Sequence, residues 1–413
     1  MKRLTLTISG LALCAAGATA QQADSPAYGD SFNMRDTSVD MSALTTENFY
    51  DMLVPLAQEA GSLTVYSYWP PAPLVVFQEE IIPAFEEKYG IDVTFASVET
   101  APGLQQMDAT SREGEPAPMD VYFTSDLPAD LDQMANIRLI DLLPNTQNLN
   151  PQFTSVYHGI EHGGAYVPFH ANQTVIAWNS AMVDNVPTTY QALLDFSAEN
   201  PGKVAITSPL RGGSGSNFLK SVAMNLMTED CIAQQANLRI ADEDAAALVD
   251  DTDCYAPVWD YFNRLLETAE LTNGNTDTLN LMANGIATVG TAWEDLTYSY
   301  IQTSQLPDTV RVEILEGGQI GGAEGVLIPS NTENLAGAML FVNEMLDAKH
   351  QAWKLMGFAS RSPRTDLDRS LIPEEAQKLL ASPDQYPARQ LTSVSPVMYA
   401  AIREGFVANV LEK

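Results

Sequence analysis

Residues 61–95 read GSLTVYSYWPPAPLVVFQEEIIPAFEEKYGIDVTF, and this stretch decides the fold class. Leu63-Thr-Val-Tyr-Ser-Tyr68 is rich in β-branched and aromatic residues, reads as a strand and ends at the rigid Trp69-Pro70-Pro71. Val75, Phe77, Ile81, Ile82 and Phe85 then fall on one face of a helix that Gly90 stops, and Ile91-Asp-Val-Thr-Phe95 is a second strand. A helical stretch around Leu104 to Ser111 leads to a third, Met119-Asp-Val-Tyr-Phe123. Strands alternating with helices build a parallel sheet covered by helices, so the chain is expected to be α/β.

Beyond a loop at 144–164 the pattern starts again. Ala165-Tyr-Val-Pro-Phe169 and Thr174-Val-Ile-Ala-Trp178 are two short strands, Tyr190 to Phe196 is helical, Lys203-Val-Ala-Ile-Thr207 is a strand, and Asn217 to Met227 opens a helix. Gly325 to Ile328 is a further strand, after which the chain turns helical at 335–347, 350–358, 374–380 and 397–411. Two α/β lobes follow from this order. Upstream, residues 21–60 form an extension, polar to Asp40 and carrying one helix from Thr45 to Glu59 with Phe49, Met52, Leu53 and Leu56 at helical spacing.

Residues 1–20 have the plan of a cleavable export signal: Lys2 and Arg3, an apolar stretch, then Ala18-Thr19-Ala20 before Gln21. A lipid anchor at Cys14 is the weaker alternative, because Leu13 is a poor residue to precede a lipidated cysteine. No later stretch is long and apolar enough to span a membrane. Lys and Arg number 21 against 53 Asp and Glu, a formal net charge of -32, which excludes nucleic acid as a general partner and suits a soluble monomer. Without Cys14 only Cys231 and Cys254 remain, a pair that an oxidising compartment can join across a loop of about 24 residues. Two free buried thiols are the alternative.

The order of segments resembles the extracellular solute-binding proteins of ABC importers, specifically the type II class that includes binders of polyamines, ferric iron, thiamine and phosphonates. The matching pieces are Gly61-Ser-Leu-Thr-Val-Tyr66, Phe85-Glu-Glu-Lys-Tyr-Gly-Ile-Asp-Val93, Pro116-Ala-Pro-Met-Asp-Val-Tyr-Phe123, Tyr166-Val-Pro-Phe169 leading into Val175-Ile-Ala-Trp-Asn179, Pro187-Thr-Thr-Tyr190, Lys203-Val-Ala-Ile206, Leu281-Met-Ala-Asn-Gly285 and Gly325-Val-Leu-Ile-Pro-Ser-Asn331. The resemblance covers about Leu63 to Arg364 and is specific to the fold more than to the ligand. It implies two lobes joined by crossing strands near 167–172, 291–293 and 317–325, with the ligand in the cleft between them. The first lobe is expected over 61–168 and about 318–365, the second over 169–317 and about 366–413. It also implies a periplasmic protein that delivers a small solute to an inner-membrane ABC permease, with no cofactor and no enzymatic activity.

Cleft candidates follow from where loops leave strand ends. Tyr68 and Trp69 end the first strand, where they either face a ligand or cap the core. Ser125 and Asp126 follow the third; Asp126 is equally suited to cap a helix starting near Leu127. Arg211-Gly-Gly-Ser-Gly-Ser216 joins a strand to a helix, and its backbone N–H groups, Ser214 and the Arg211 guanidinium suit an anion. His170 lies on an expected crossing. Trp293 and Glu294 follow a strand, and Trp293 matches the aromatic that polyamine-binding members present to the ligand, as Glu324 matches their amine-pairing acid. A ring face and a carboxylate suit a cation. The match breaks at Gly321-Gly322, where polyamine binders have a second aromatic, and at Arg211, where they offer carboxylates. A zwitterion, with its amine at Trp293 and Glu324 and its anion at Arg211, therefore fits these residues better than a pure polycation.

Other chemistry is less well supported. His158 and His162 have the i,i+4 spacing of a zinc pair, but Gly159, Gly163 and Gly164 disfavour a helix there. Tyr298 and Tyr300 are not adjacent, as ferric sites of this class require. No hydrolase elbow, metalloprotease helix or dinucleotide turn is present. A metal receptor remains the alternative to an amine binder, and a secreted hydrolase the less favoured third reading.

Overall fold

The computed structural model describes residues 34–413 except 69–74, 76, 129–130, 136–137, 155, 158 and 359. The expected export signal, Trp69 and His158 lie outside the described residues.

The strands of 61–95 form as the alternation predicts. β1 (Ser62–Ser67), β2 (Asp92–Ser97) and β3 (Val121–Thr124) lie parallel in the order β2-β1-β3. β1 alternates between buried Leu63, Val65 and Ser67 and partly exposed neighbours, because one face packs on the helix that follows. That helix has an irregular first turn and then runs over Ile82–Tyr89, capped by Gly90 in the left-handed region. Ile81, Ile82 and Phe85 are buried as expected, whereas Val75 is exposed, so the apolar stripe begins later than its spacing suggested.

A short hairpin, β4 (Val156–Tyr157) and β5 (Ile160–Glu161), precedes β6 (Val167–Asn179). The two short strands expected at 165–169 and 174–178 are one strand of 13 residues. The polar run His170 to Thr174 hides its continuity in the sequence, yet all of these side chains are buried. β7 (Val204–Thr207), β8 (Glu270–Thr272), β9 (Val289–Trp293) and β10 (Val310–Glu313) complete the second half. β11 (Gln319–Leu327) returns to the first, and β12 (Gln390–Leu391) pairs with its start.

The sheet runs β2-β1-β3-β11-β6-β9-β7-β8. Its flanks are parallel, while β11 is antiparallel to both β3 and β6, and β6 to β9. One core gathers Leu63, Val65, Phe85, Val121, Phe169, Val326 and Phe341. A second gathers Ile176, Phe218, Phe262 and Phe406, with Val175, Leu279 and Tyr298 packed on the opposite side of the sheet. The two cores are two lobes, bridged by β6 and β11.

The third bridge differs from expectation. β9 stays within the second sheet and ends at Trp293. The chain instead recrosses through the helix Ala348–Phe358 and the segment after it, where Ala171 and Arg361 exchange both backbone hydrogen bonds.

Cys231 and Cys254 are joined in a disulfide that ties the helix Glu229–Gln235 to the helix Thr252–Leu265. The extension is no appendage: its helix, Phe49–Ala60, buries Phe49, Leu53 and Ala57 in the first core against the helix Leu335–Met345. Leu53 is fully buried, so Leu53→Ala should destabilise the protein by roughly 3 kcal/mol in urea unfolding, as buried Leu→Ala changes do. A loss below about 1 kcal/mol would contradict this packing.

Candidate functional site

Where β6 and β11 pass each other, the geometry fixes one acid. Their register shifts between Glu324 and Gly325, opposite Pro168, which has no N–H to give the ladder. The freed Gly325 N–H is taken by the Tyr166 hydroxyl, which in turn donates to the Thr124 carbonyl at 2.8 Å. A side chain at 325 would sit 2.1 Å from the Val167 carbonyl oxygen, so only glycine permits the bulge. The extra residue, Phe169, is on β6, and beside it on β11 Glu324 lines a cavity of about 320 Å³ between the lobes.

Residues of the first lobe and the crossing strands form one wall: Ser125, Asp126, Tyr157, Ile160, Asn172 and Glu324. The second lobe gives Trp293, then Gly213, Ser216, Asn217 and Lys220 from the helix Gly213–Leu226. Ser393, Val394, Pro396 and Tyr399 close it, at the start of the helix Pro396–Phe406. The lobes touch at its rim, where Gly159 lies against Val394 and Arg239 pairs with Glu161 at 2.8 Å.

Tyr68 donates to the Glu324 carboxylate, and Asn172 Nδ2 donates to its other oxygen at 3.5 Å. Burial nevertheless pushes the Glu324 pKa up to about 7. Asp126 is also raised by burial, and no helix begins at Leu127, so it is not the helix cap that the sequence allowed. Across the cavity, burial pulls Lys220 down to about 7. Its ammonium meets the Ser393 hydroxyl at 3.1 Å and lies 4.6 Å from the centre of the Tyr399 ring. Trp293 ends β9 with its ring against Gly213, where a Cβ would come within 2.9 Å of Cζ2. Two buried polar atoms on the lining lack any partner: Asn172 Oδ1, an acceptor, and Asn217 Nδ2, a donor.

Ser125, Asp126, Trp293 and Glu324 thus come together, with Tyr68 behind Glu324. Other expected residues do not line the cavity. Arg211 is exposed on the turn before the helix. Ser214 is buried and bonded to Asn275 Oδ1 at 2.8 Å. Glu294 is spent on Arg361, whose Nη2 reaches it at 2.8 Å while Nε bonds the other oxygen, and it also accepts the Ala381 N–H. His170 is buried between Ser360 and Asp295, the latter 3.5 Å from Nε2, and braces the crossing rather than facing the cavity. His162 is buried beside Tyr166, and burial lowers its pKa to about 4. Tyr298 spends its hydroxyl on the Met356 carbonyl. Among the described residues no group of three His, Cys, Asp or Glu could hold a metal, and no helix is long and apolar enough to cross a membrane.

Sequence reading missed Lys220, Asn217, Asn172 and the segment from Ser393 to Tyr399. Ser216, Asn217 and Lys220 did leave a signal, polar residues at i, i+1 and i+4 beside the apolar Phe218, Leu219, Val222 and Ala223 of the same helix. The C-terminal segment left none, because it reaches the cavity only through tertiary packing.

Glu324 supplies a pH test. Below about pH 4.5 its carboxyl is protonated in both folded and unfolded states. As pH rises towards 7 the unfolded chain releases the proton and the folded protein keeps it, so stability is withdrawn across that window and the full cost stands above it. Glu324→Gln should therefore be more stable than wild type at pH 8, by on the order of 2 kcal/mol given partial exposure, and equal to it at pH 4. Urea unfolding at the two pH values measures this. An identical difference at both would contradict the burial of the carboxyl.

No curated protein sequence matches the chain. Solved structures do share its fold. The spermidine/putrescine ABC transporter substrate-binding protein PotD of Streptococcus pneumoniae superposes with a TM-score of 0.59 at 14% identity, covering 85% of this chain and 98% of that one. The apo ferric ion-binding protein A of Pasteurella haemolytica gives 0.51 at 17% identity, covering 85% and 96%. The periplasmic binding protein AfuA of Actinobacillus pleuropneumoniae, with fructose-6-phosphate bound, gives 0.51 at 16%, covering 86% and 99%. A family model described as bacterial extracellular solute-binding protein matches residues 80–379, most of the chain, and with the two-lobed fold and the cavity between the lobes it places this protein in that family.

Proposed function

We propose that the protein captures a small amine-containing organic solute, polyamine-like or zwitterionic, in the cavity between its lobes and delivers it in the periplasm to an inner-membrane ABC permease. In this reading the first lobe comprises 61–168 and about 318–365, with the helix Phe49–Ala60 packed into its core, the second 169–317 and about 366–413, and the lobes open and close about the crossing segments. The observation that carries it is the pairing of the Trp293 ring with the Glu324 carboxylate on one cavity, beside the unpartnered Asn172 Oδ1. An ammonium group supplies what these lack: a cation for the ring face, a counter-charge for a buried acid and an N–H for the orphan oxygen. Glu324, raised towards neutrality when unliganded, regains its charge against such a partner.

A second cavity, of about 200 Å³, lies behind the crossing between Phe153, Leu355 and Tyr386. It suits a solute less well, because its two guanidiniums are already paired, Arg361 with Glu294 and Arg364 with Asp366.

A thermal-shift panel of diamines, amino acids, ferric iron and zinc tests the proposal. Stabilisation by amine-bearing compounds is expected, whereas stabilisation only by metals, reversed by a chelator, would contradict it. For the tightest ligand found, Trp293→Ala should weaken binding about 30-fold by calorimetry, the equivalent of a desolvated cation–π contact. An unchanged affinity would remove Trp293 from the site.

A further inference from the structure

The wall facing Glu324 is built for the opposite charge. The helix Gly213–Leu226 starts at the cavity with Gly213 on its lining, so the positive end of its dipole lies there. Ser214 uses both its N–H and its hydroxyl on Asn275, which fixes the helix start. One turn on, Asn217 is 3% exposed and its Nδ2 finds no acceptor, although the residue lines the cavity. Lys220 is 5% exposed, and among the described residues it forms no ion pair, only a bond to the neutral Ser393 hydroxyl and a contact with the Tyr399 ring. A buried ammonium without a counter-ion and a buried amide donor without an acceptor both cost stability unless something accepts from them. Water satisfies such groups weakly compared with an oxyanion, which accepts from several donors at once.

We infer that Lys220, Asn217 and the first turn of the helix Gly213–Leu226 form an anion subsite, and that the solute carries a carboxylate or phosphonate at the end opposite its amine. This rests on the proposed amine site and narrows it to zwitterions. Arg211, which the sequence offered for this role, is exposed and off the cavity, and Lys220 takes its place from the same helix start. A diamine of similar length would set its second ammonium against Lys220 and Asn217 Nδ2, a repulsive contact and an unmet donor.

Calorimetry on the full protein with 4-aminobutyrate, 3-aminopropylphosphonate, 1,4-diaminobutane and butylamine, together with acetate and methylphosphonate as amine-free probes, separates the possibilities. The expected result is that the zwitterions bind at least about 10-fold tighter than the diamine, and that Lys220→Met weakens them about 30-fold while leaving the diamine no weaker, or tighter as the repulsion is removed. The phosphonate and carboxylate arms show which oxyanion is preferred. Asn217→Leu, which fills the same space without a donor, should weaken the zwitterions about 10-fold and guards against a folding defect in the lysine variant. Diamine binding as tight as that of the zwitterions, with Lys220→Met neutral, would overturn the anion subsite and leave the amine reading standing. Binding of the amine-free anions that Lys220→Met abolishes, with no amine bound, would support the subsite and overturn the amine reading. Absence of any Lys220-dependent anion binding would overturn the subsite.

Discussion

The ladder between β6 and β11 is the constraint on which the rest depends. Two antiparallel strands must carry the chain from one core to the other through a buried crossing, where every backbone polar group needs a partner. That requirement accounts for the glycines: a side chain at 321 would meet the Asn172 carbonyl at 2.7 Å, and one at 325 would meet that of Val167. It also accounts for polar side chains in a buried strand. Gln173 Nε2 bonds the carbonyls of Thr174 and Gln319, and Thr174 Oγ1 bonds that of Ile320, so each stitches the crossing. The third passage is anchored to the same strand, with Arg361 held by its backbone to Ala171 and by its guanidinium to Glu294. Such a pair costs desolvation and returns it mainly as geometry, which suits a segment that must stay in register.

The cavity inherits its chemistry from this frame. Glu324 projects from β11 next to the register shift, Asn172 from the strand beside it, and Trp293 from the end of β9, which pairs with β6 at Thr174. Lys220 enters from the facing helix. The carboxyls and the amine on the lining are driven towards their neutral forms by burial, Asp126 and Glu324 upwards and Lys220 downwards. A protein gains nothing in stability from three such groups around one space. They are what a site looks like when the compensating charges come from a ligand.

Most of the fold was legible in the sequence, because alternation and helical spacing report which face is buried. β1, β2, β3 and the helix Tyr190–Glu199 appear where the pattern put them. The crossings near 167–172 and 317–325 were expected from the resemblance, but the continuity of β6 and the third passage were not legible: Pro168, His170 and Asn172 interrupt the apolar pattern of what is one strand, and nothing local marks the bond from Ala171 to Arg361. Trp293 and Glu324, which the resemblance to polyamine-binding members offered for the cleft, both line the cavity. Glu294 and Arg211 stay off the cavity for opposite reasons, one bonded to an arginine 67 residues away and the other left in solvent. Lys220 was passed over because charge on a helix usually marks a solvated face, and only packing shows that this lysine is buried.

A crystal structure of the protein with its tightest-binding amine would test the central claim most directly. The account predicts the ammonium between the Trp293 ring and the Glu324 carboxylate, within hydrogen-bond reach of Asn172 Oδ1. A ligand seated in the cavity behind the crossing, or anywhere without contact to Trp293 and Glu324, would contradict it.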